Sequence, residues 1–288
     1  MDLLLQTVIN ATYAASYMAL IAVGLVLIFG VMGVVNFAHG ELYMVGAYCV
    51  VYLYAQHEFP FFFAVAVGLL FVGGLGLAME YALFRPLRDN PLGGLIASIG
   101  FLLILQTVAV LGFGRRMGHV PPPTQQKIQF MDGVVLTYQR LFVIAATVML
   151  LGALWTFLRR SKFGWALRAC AQDGEAATLQ GISINQTARI AMFIGAGLAG
   201  VAGALTAPLV SPTPYVGHSV IVTAFIIIIV GGIGSLEGAV LAAILYAFVH
   251  TFVTTFYDGV IANIVGLLLM LVVLVVRPTG LFGAKDRA

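Results

Sequence analysis

Charge is scarce in this chain. Asp, Glu, Lys and Arg make up 9% of its 288 residues, against about 25% in a soluble domain. Hydrophobic residues make up 61%, and the mean hydropathy is +1.06. A surface this poor in charge needs lipid around it, which excludes most cytoplasmic enzymes and nucleic-acid binders. The formal net charge of +3 offers no polybasic surface for a nucleic acid. Lysine is rarer still: Lys127, Lys162 and Lys285 are all there are, and none follows a glycine. A phosphate-binding GxxxxGK[ST] loop is therefore impossible, so ATP and Mg, if they drive this protein, sit on another chain. Cofactors on this chain are expected to be none. Two cysteines, Cys49 in an apolar run and Cys170 in a charged stretch, suggest neither a disulfide nor a metal site. Intramembrane GxSG and HExxH motifs are missing, and no cluster of acids or histidines suits a lipid-modifying enzyme. No catalytic and no metal-binding residues are expected. The opening MDLLLQTV has no basic residue, so the first apolar run reads as a membrane span and not a cleaved signal.

What the chain does have is apolar length. A helix needs about 20 apolar residues to cross a bilayer. Long runs lie near 7–30, 61–83, 93–113, 139–158, 188–208, 238–257 and 259–277, and shorter, glycine-broken runs near 42–56 and 218–231. The runs are continuous and do not alternate, which argues against a β-barrel. The expected fold is all-α: one membrane domain over 1–288, a polytopic transmembrane helical bundle of about nine segments. Small residues repeat every four positions at Gly195, Ala199 and Gly203 and at Ala196, Gly200 and Ala204, a spacing that lets helices pack closely in lipid.

Basic residues set the orientation. Arg85 and Arg88, then Arg159, Arg160, Lys162, Arg168 and Arg189, then Arg277, Lys285 and Arg287 make ten of the fourteen. With nine crossings they share one side, taken as cytoplasmic, together with the C-terminus. Arg115, Arg116, Lys127, Arg140 and the N-terminus fall outside. The external loop 114–138 carries Asp132-Gly133 between β-prone runs, a hairpin signal. It reads either as a cap over the span ends or as a docking surface.

The cytoplasmic loop 159–188 is too polar to cross. Its composition predicts a helix from Phe163 to Leu179, stopped at Gly181. Such a helix either lies on the bilayer or inserts into a partner's groove.

Two further breaks interrupt the apolar pattern: Asn36-Phe37-Ala38-His39-Gly40-Glu41 and Gly231-Gly232-Ile233-Gly234-Ser235-Leu236-Glu237-Gly238. Each adjoins a short apolar run and pairs a glutamate with a glycine. They are either mid-membrane breaks lining a pathway or ordinary cytoplasmic turns. In the first reading Asn36, His39, Gly40, Glu41, Gly234, Ser235 and Glu237 are candidate pathway residues near the centre of the bundle. Glu80 is expected near Arg85 and His250 in a packing role, while Ser98 and Gln106 suit the pathway or a hydrogen bond to another helix equally.

Glu175-Ala176-Ala177 followed by Gly181 resembles the EAA motif of bacterial ABC-importer permeases, although Ala188-Arg189-Ile190-Ala191 stands where those chains usually have Leu-Pro. The stretches at 24–48, 84–88, 95–106, 229–245 and 277–283 are similar to signatures of the branched-chain amino-acid permeases. That resemblance spans nearly the whole chain. It implies a cytoplasmic coupling helix with Glu175, Ala176, Ala177 and Gly181 docked on an ATPase. It also implies two ATPase subunits, a second related permease subunit and an external substrate-binding protein, in the bacterial inner membrane. Urea and short amides are alternative cargoes within the family. A self-sufficient transporter or channel is the rival class, and it would want more ionisable residues deep in the spans.

Overall fold

The computed structural model describes residues 1–115, 119–131 and 134–283. Among them are eleven α-helices and one two-stranded sheet. Seven helices are long and apolar enough to cross a membrane: α1 (Asp2–Met32), α3 (Phe61–Met79, continued to Phe84 by a π-helical turn), α4 (Pro91–Phe113), α5 (Tyr138–Arg160), α8 (Ile184–Val210), α10 (Leu236–Phe256) and α11 (Gly259–Val276). The chain is thus an all-α, multi-pass membrane protein. The two short apolar runs are also helical but are not among the seven: α2 (His39–Val50, continued to Gln56 by π-helical turns), which opens on polar residues, and α9 (Val216–Gly231), which is shorter.

Helix starts at the bundle ends follow local chemistry. Asn90 accepts a hydrogen bond from Gly93 N ahead of Pro91, whose fixed φ suits a first helical position. Thr137, Ser183, Ser235 and Asp258 cap α5, α8, α10 and α11 in the same manner. α2 and α9 differ, because neither has a side-chain cap.

α1 and α8 form the buried centre, with α1 packed along α10 and α3 along α8. The small-residue stripe of α8 makes this possible. A Cβ on Gly195 would come within 2.5 Å of Gly24 O, and one on Gly203 within 1.9 Å of Tyr43 O. Backbones meet there without side chains between them.

The loops sort to two ends. Arg88 binds Asn185, Arg159 approaches Glu237, and Leu281 N donates to Val230 O. Loops 85–90, 161–185, 231–237 and 277–283 therefore share one end, as expected of the basic regions. Lys285 and Arg287 lie outside the described residues, as does Arg116. At the opposite end, Val135 N donates to Gln6 Oε1 at 2.8 Å and Arg140 binds Asn10. The strands expected in loop 114–138 are present: β1 (Lys127–Met131) and β2 (Val134–Thr137) pair antiparallel. The turn itself, Asp132-Gly133, lies outside the described residues.

One expectation needs correction. The polar segment is not a single helix from Phe163 to Leu179 but two, α6 (Lys162–Gln172) and α7 (Gly174–Leu179). Asp173 takes extended angles (φ −159, ψ 104) and its carboxylate accepts from Ala176 N, so an N-cap interrupts the run. Gly181 does end the helical segment, with φ +82 in the left-handed region that favours glycine.

Candidate translocation site

The first broken stretch lies inside the bundle. After α1 ends at Gly33, which is left-handed, residues 34–38 run back between the helices. Phe37 N donates to Ser98 Oγ of α4 at 3.1 Å, and Ala38 N to Asn36 Oδ1 at 3.0 Å. His39 Nε2 meets Ile21 O at 3.1 Å, about three turns inside the C-terminal end of α1. Asn36, His39 and Glu41 are all fully buried. α2 therefore starts within the bundle.

α9 starts beside it. Its first turn, Val216-Gly217-His218, faces His39-Gly40-Glu41 of α2. A Cβ on Gly40 would fall 2.1 Å from Gly217 O, and one on Gly217 would fall 2.4 Å from the Glu41 carboxylate. Gln106, in mid-α4, closes the group. Its Nε2 lies 2.9 Å from Glu41 Oε1 and 2.8 Å from His218 Nδ1, and Glu41 Oε1 is 3.5 Å from His218 Nδ1. An amide nitrogen only donates. Its two protons thus serve the carboxylate and the ring, leaving Nδ1 as an acceptor and the imidazole proton on Nε2. Two uncapped helix N-termini carry partial positive charge, and the Glu41 carboxylate sits where they converge. Among the described residues, Glu41 Oε2, Asn36 Nδ2 and His39 Nδ1 have no hydrogen-bond partner.

The second stretch is placed differently. Gly231 and Gly232 are buried, but Ile233, Gly234 and Glu237 are exposed. Ser235 caps α10 by accepting from Gly238 N at 3.0 Å. The Glu237 side chain is 77% exposed and 3.8 Å from Arg159. The expectation that Gly234, Ser235 and Glu237 lie at the bundle centre is corrected: they form a turn at the end that carries α6 and α7. A Ser cap and a left-handed Gly234 (φ +89) are turn chemistry. The same residues line a cavity of about 730 Å³ with Gly30, Arg168 and Gln172, so the turn borders α6.

α6 packs on its neighbours through Gly164, Leu167 and Cys170, all buried. Beyond it α7 projects. Ala177 is buried, while Glu175, Ala176 and Gly181 are exposed, and Leu179 is 87% exposed. Glu80 pairs with Arg88 at 3.2 Å and not with Arg85, whose guanidinium lies 5.9 Å over the Tyr81 ring. His250 meets Asn263 Oδ1 at 3.1 Å. Gln106 does bond between helices, as expected, whereas Ser98 bonds the 34–38 connection ahead of α2 and Leu95 O of its own helix.

His218 was missed from sequence. It lies inside a run read only as short and apolar, and its partners come from residues 41 and 106.

The branched-chain amino acid transport system permease component model matches residues 7–276. The chain belongs to this permease family. It is 32% identical to the permease protein BraD of a high-affinity branched-chain amino acid transport system in Pseudomonas aeruginosa, over 98% of this chain and 96% of that one. It is likewise 32% identical to LivH of Escherichia coli, over 98% and 96%. LivM of Escherichia coli, a second permease protein of that system, is 26% identical over 82% of this chain and 61% of its own length. Among solved structures, PsaBC from Streptococcus pneumoniae shares the fold, with a TM-score of 0.55 at 12% identity over 95% of this chain and 92% of that one. The permease is a transport subunit and not an enzyme.

Proposed function

We propose that this permease is the membrane-spanning subunit of an ATP-driven importer of branched-chain or other hydrophobic amino acids in the bacterial inner membrane. The full-length likeness to BraD and LivH carries the substrate class. In this reading the permease pairs with a related permease subunit, takes solute from an external binding protein and contacts two ATPase subunits that hold ATP and Mg. The chain traverses the bilayer nine times, with α2 and α9 as half-helices that start inside it. The end carrying 161–185 faces the cytoplasm.

α7 is the coupling element, with Glu175, Ala176 and Gly181 presented to the ATPase and Ala177 holding the helix to the body. The support is its exposure next to a well-anchored α6. Movement of α7 reaches α1 through α6, whose Ala171 lies against Gly30, and reaches the 231–237 turn across the shared cavity.

The test of coupling is substitution. Glu175→Lys or Gly181→Arg should abolish leucine uptake while the chain still reaches the membrane and purifies as a folded bundle, because a reversed charge or a bulky side chain spoils a complementary cleft. A Cβ on Gly181 would meet nothing within 4 Å among the described residues, so folding alone tolerates the new side chain apart from its backbone strain. Normal uptake in both variants would remove α7 from the coupling role. Orientation has its own test. Single cysteines at Gln125 and Ser183, in a chain lacking Cys49 and Cys170, should react with an impermeant reagent from opposite sides of the membrane. Reaction of both from outside the cell would reverse the assignment of 161–185 to the cytoplasm.

A further inference from the structure

We propose that His218 meets the solute directly, donating its Nε2 proton to the carboxylate of an α-amino acid, while Gln106 and Glu41 position it from behind. The proposal rests on the importer reading above and adds to it the contact and the chemistry.

Four observations carry it. The first is depth: His218 is in the first turn of a helix that begins inside the bundle, abreast of Gln106 in mid-α4. The second is exposure. The His218 side chain is 61% exposed while the Glu41 beside it is 0% exposed, and Ser219 next to it is also exposed. A polar ring at that depth facing acyl chains would leave its donor without a partner, which lipid penalises. A water-filled path satisfies it. The third is the fixed tautomer. With Nδ1 held by Gln106, the free group is an N–H, which suits a carboxylate and not an ammonium. The fourth is the field. Two uncapped helix N-termini converge here, an arrangement that favours an anionic group.

The Glu41 carboxylate occupies that positive region from the protein side and lies against Gly217 in the first turn of α9. Its Oε2 is buried and lacks a donor among the described residues. The cluster is therefore short of one acceptor at the ring and one donor at the carboxylate. A zwitterionic amino acid carries both. Its carboxylate meets His218 first, and its ammonium reaches Glu41 Oε2 only when the α2 and α9 N-termini part. A site completed only by that separation holds the solute weakly in either end state, which suits passage.

The test uses the whole complex, with both permease subunits, the ATPases and the binding protein, in proteoliposomes. Leucine uptake and ATP hydrolysis are measured together. Absence of leucine uptake by the unmodified complex would remove the importer reading and this proposal with it. Given uptake, His218→Ala should lower leucine moved per ATP about tenfold, the loss expected for one hydrogen bond to a charged group, with hydrolysis still stimulated by the binding protein. His218→Gln, which keeps a neutral donor, should recover much of the ratio. His218→Cys, in a chain lacking Cys49 and Cys170, should react with a hydrophilic methanethiosulfonate in the assembled complex. An unchanged ratio in His218→Ala would overturn the proposal while leaving the importer reading intact. So would equal loss in His218→Ala and His218→Gln, or an unreactive His218→Cys both with and without ATP.

Discussion

Gly40→Val should abolish uptake and leave little folded protein, whereas Gly100→Val should be tolerated. Both are glycines in apolar helices. A Cβ on Gly40 would stand 2.1 Å from Gly217 O and 3.0 Å from Ile221 Cβ, while one on Gly100 meets nothing within 4 Å among the described residues. The atom in the way at Gly40 is backbone in the first turn of α9, so no rotamer change relieves the clash. The helices must separate, and the Glu41–Gln106–His218 group goes with them. Overpacking of a tight core costs about 1–3 kcal/mol even where side chains can adjust, and a backbone obstacle should reach the upper end or beyond. Fluorescence-detected size exclusion in detergent reads the folded fraction, and leucine uptake in cells reads the function. A folded, active Gly40→Val protein would show that α2 and α9 do not meet head to head.

The seven long spans were legible because periodicity hardly matters in lipid: an uninterrupted apolar run of sufficient length has to be helical to satisfy its own backbone. The two short helices were legible as segments but not as half-helices. Nothing in the order of residues says that 34–38 turns back into the bundle. That geometry depends on Ser98 receiving Phe37 N and on Ile21 O receiving His39, both contacts between distant parts of the chain.

The same limit governs the site. Two glutamates beside glycines looked alike in sequence, yet Glu41 is buried and Glu237 is exposed. The distinguishing signal was present but local: Ser235 three residues before Gly238 is a helix-capping pattern, which marks a solvated turn. No such capping residue precedes α2, whose N-cap is Ala38. A polar-poor entry to a helix, followed by a carboxylate in its first turn, is what a buried N-terminus looks like. His218 offered less. A lone histidine in an apolar run is informative only when the carboxylate and amide that meet it are known, and these lie 177 and 112 positions away in the chain. Asp173, by contrast, was readable. An aspartate followed by glycine, with Glu175 in the next turn, is an N-cap pattern, and it outweighed the helix-forming composition around it.

Arg88→Ala should destabilise the bundle by about 3 kcal/mol, the low end of the range for removing one partner of a buried ion pair. Glu80 is the reason. Its side chain is 0% exposed, its Oε1 is 3.2 Å from Arg88 Nη2, and its Oε2 has no hydrogen-bond partner among the described residues. Without Arg88 a carboxylate stays in the interior with nothing to balance it. Arg88 is itself 29% exposed, so water can partly replace it, which places the loss at the low end. Adding Glu80→Leu should restore most of the stability, since burying an apolar group there removes the unpaired charge. Function should not return with it. Arg88 also binds Asn185 Oδ1 in the first turn of α8, just past α7 and Gly181, and so ties the loop after α3 to the helix that follows the coupling segment. The double variant loses that tie. Thermal midpoints of the single and double variants, read beside leucine uptake, separate the two effects. A single variant as stable as the parent would mean that Glu80 finds its counter-charge elsewhere. A double variant with full uptake would mean that the Arg88–Asn185 tie carries no motion.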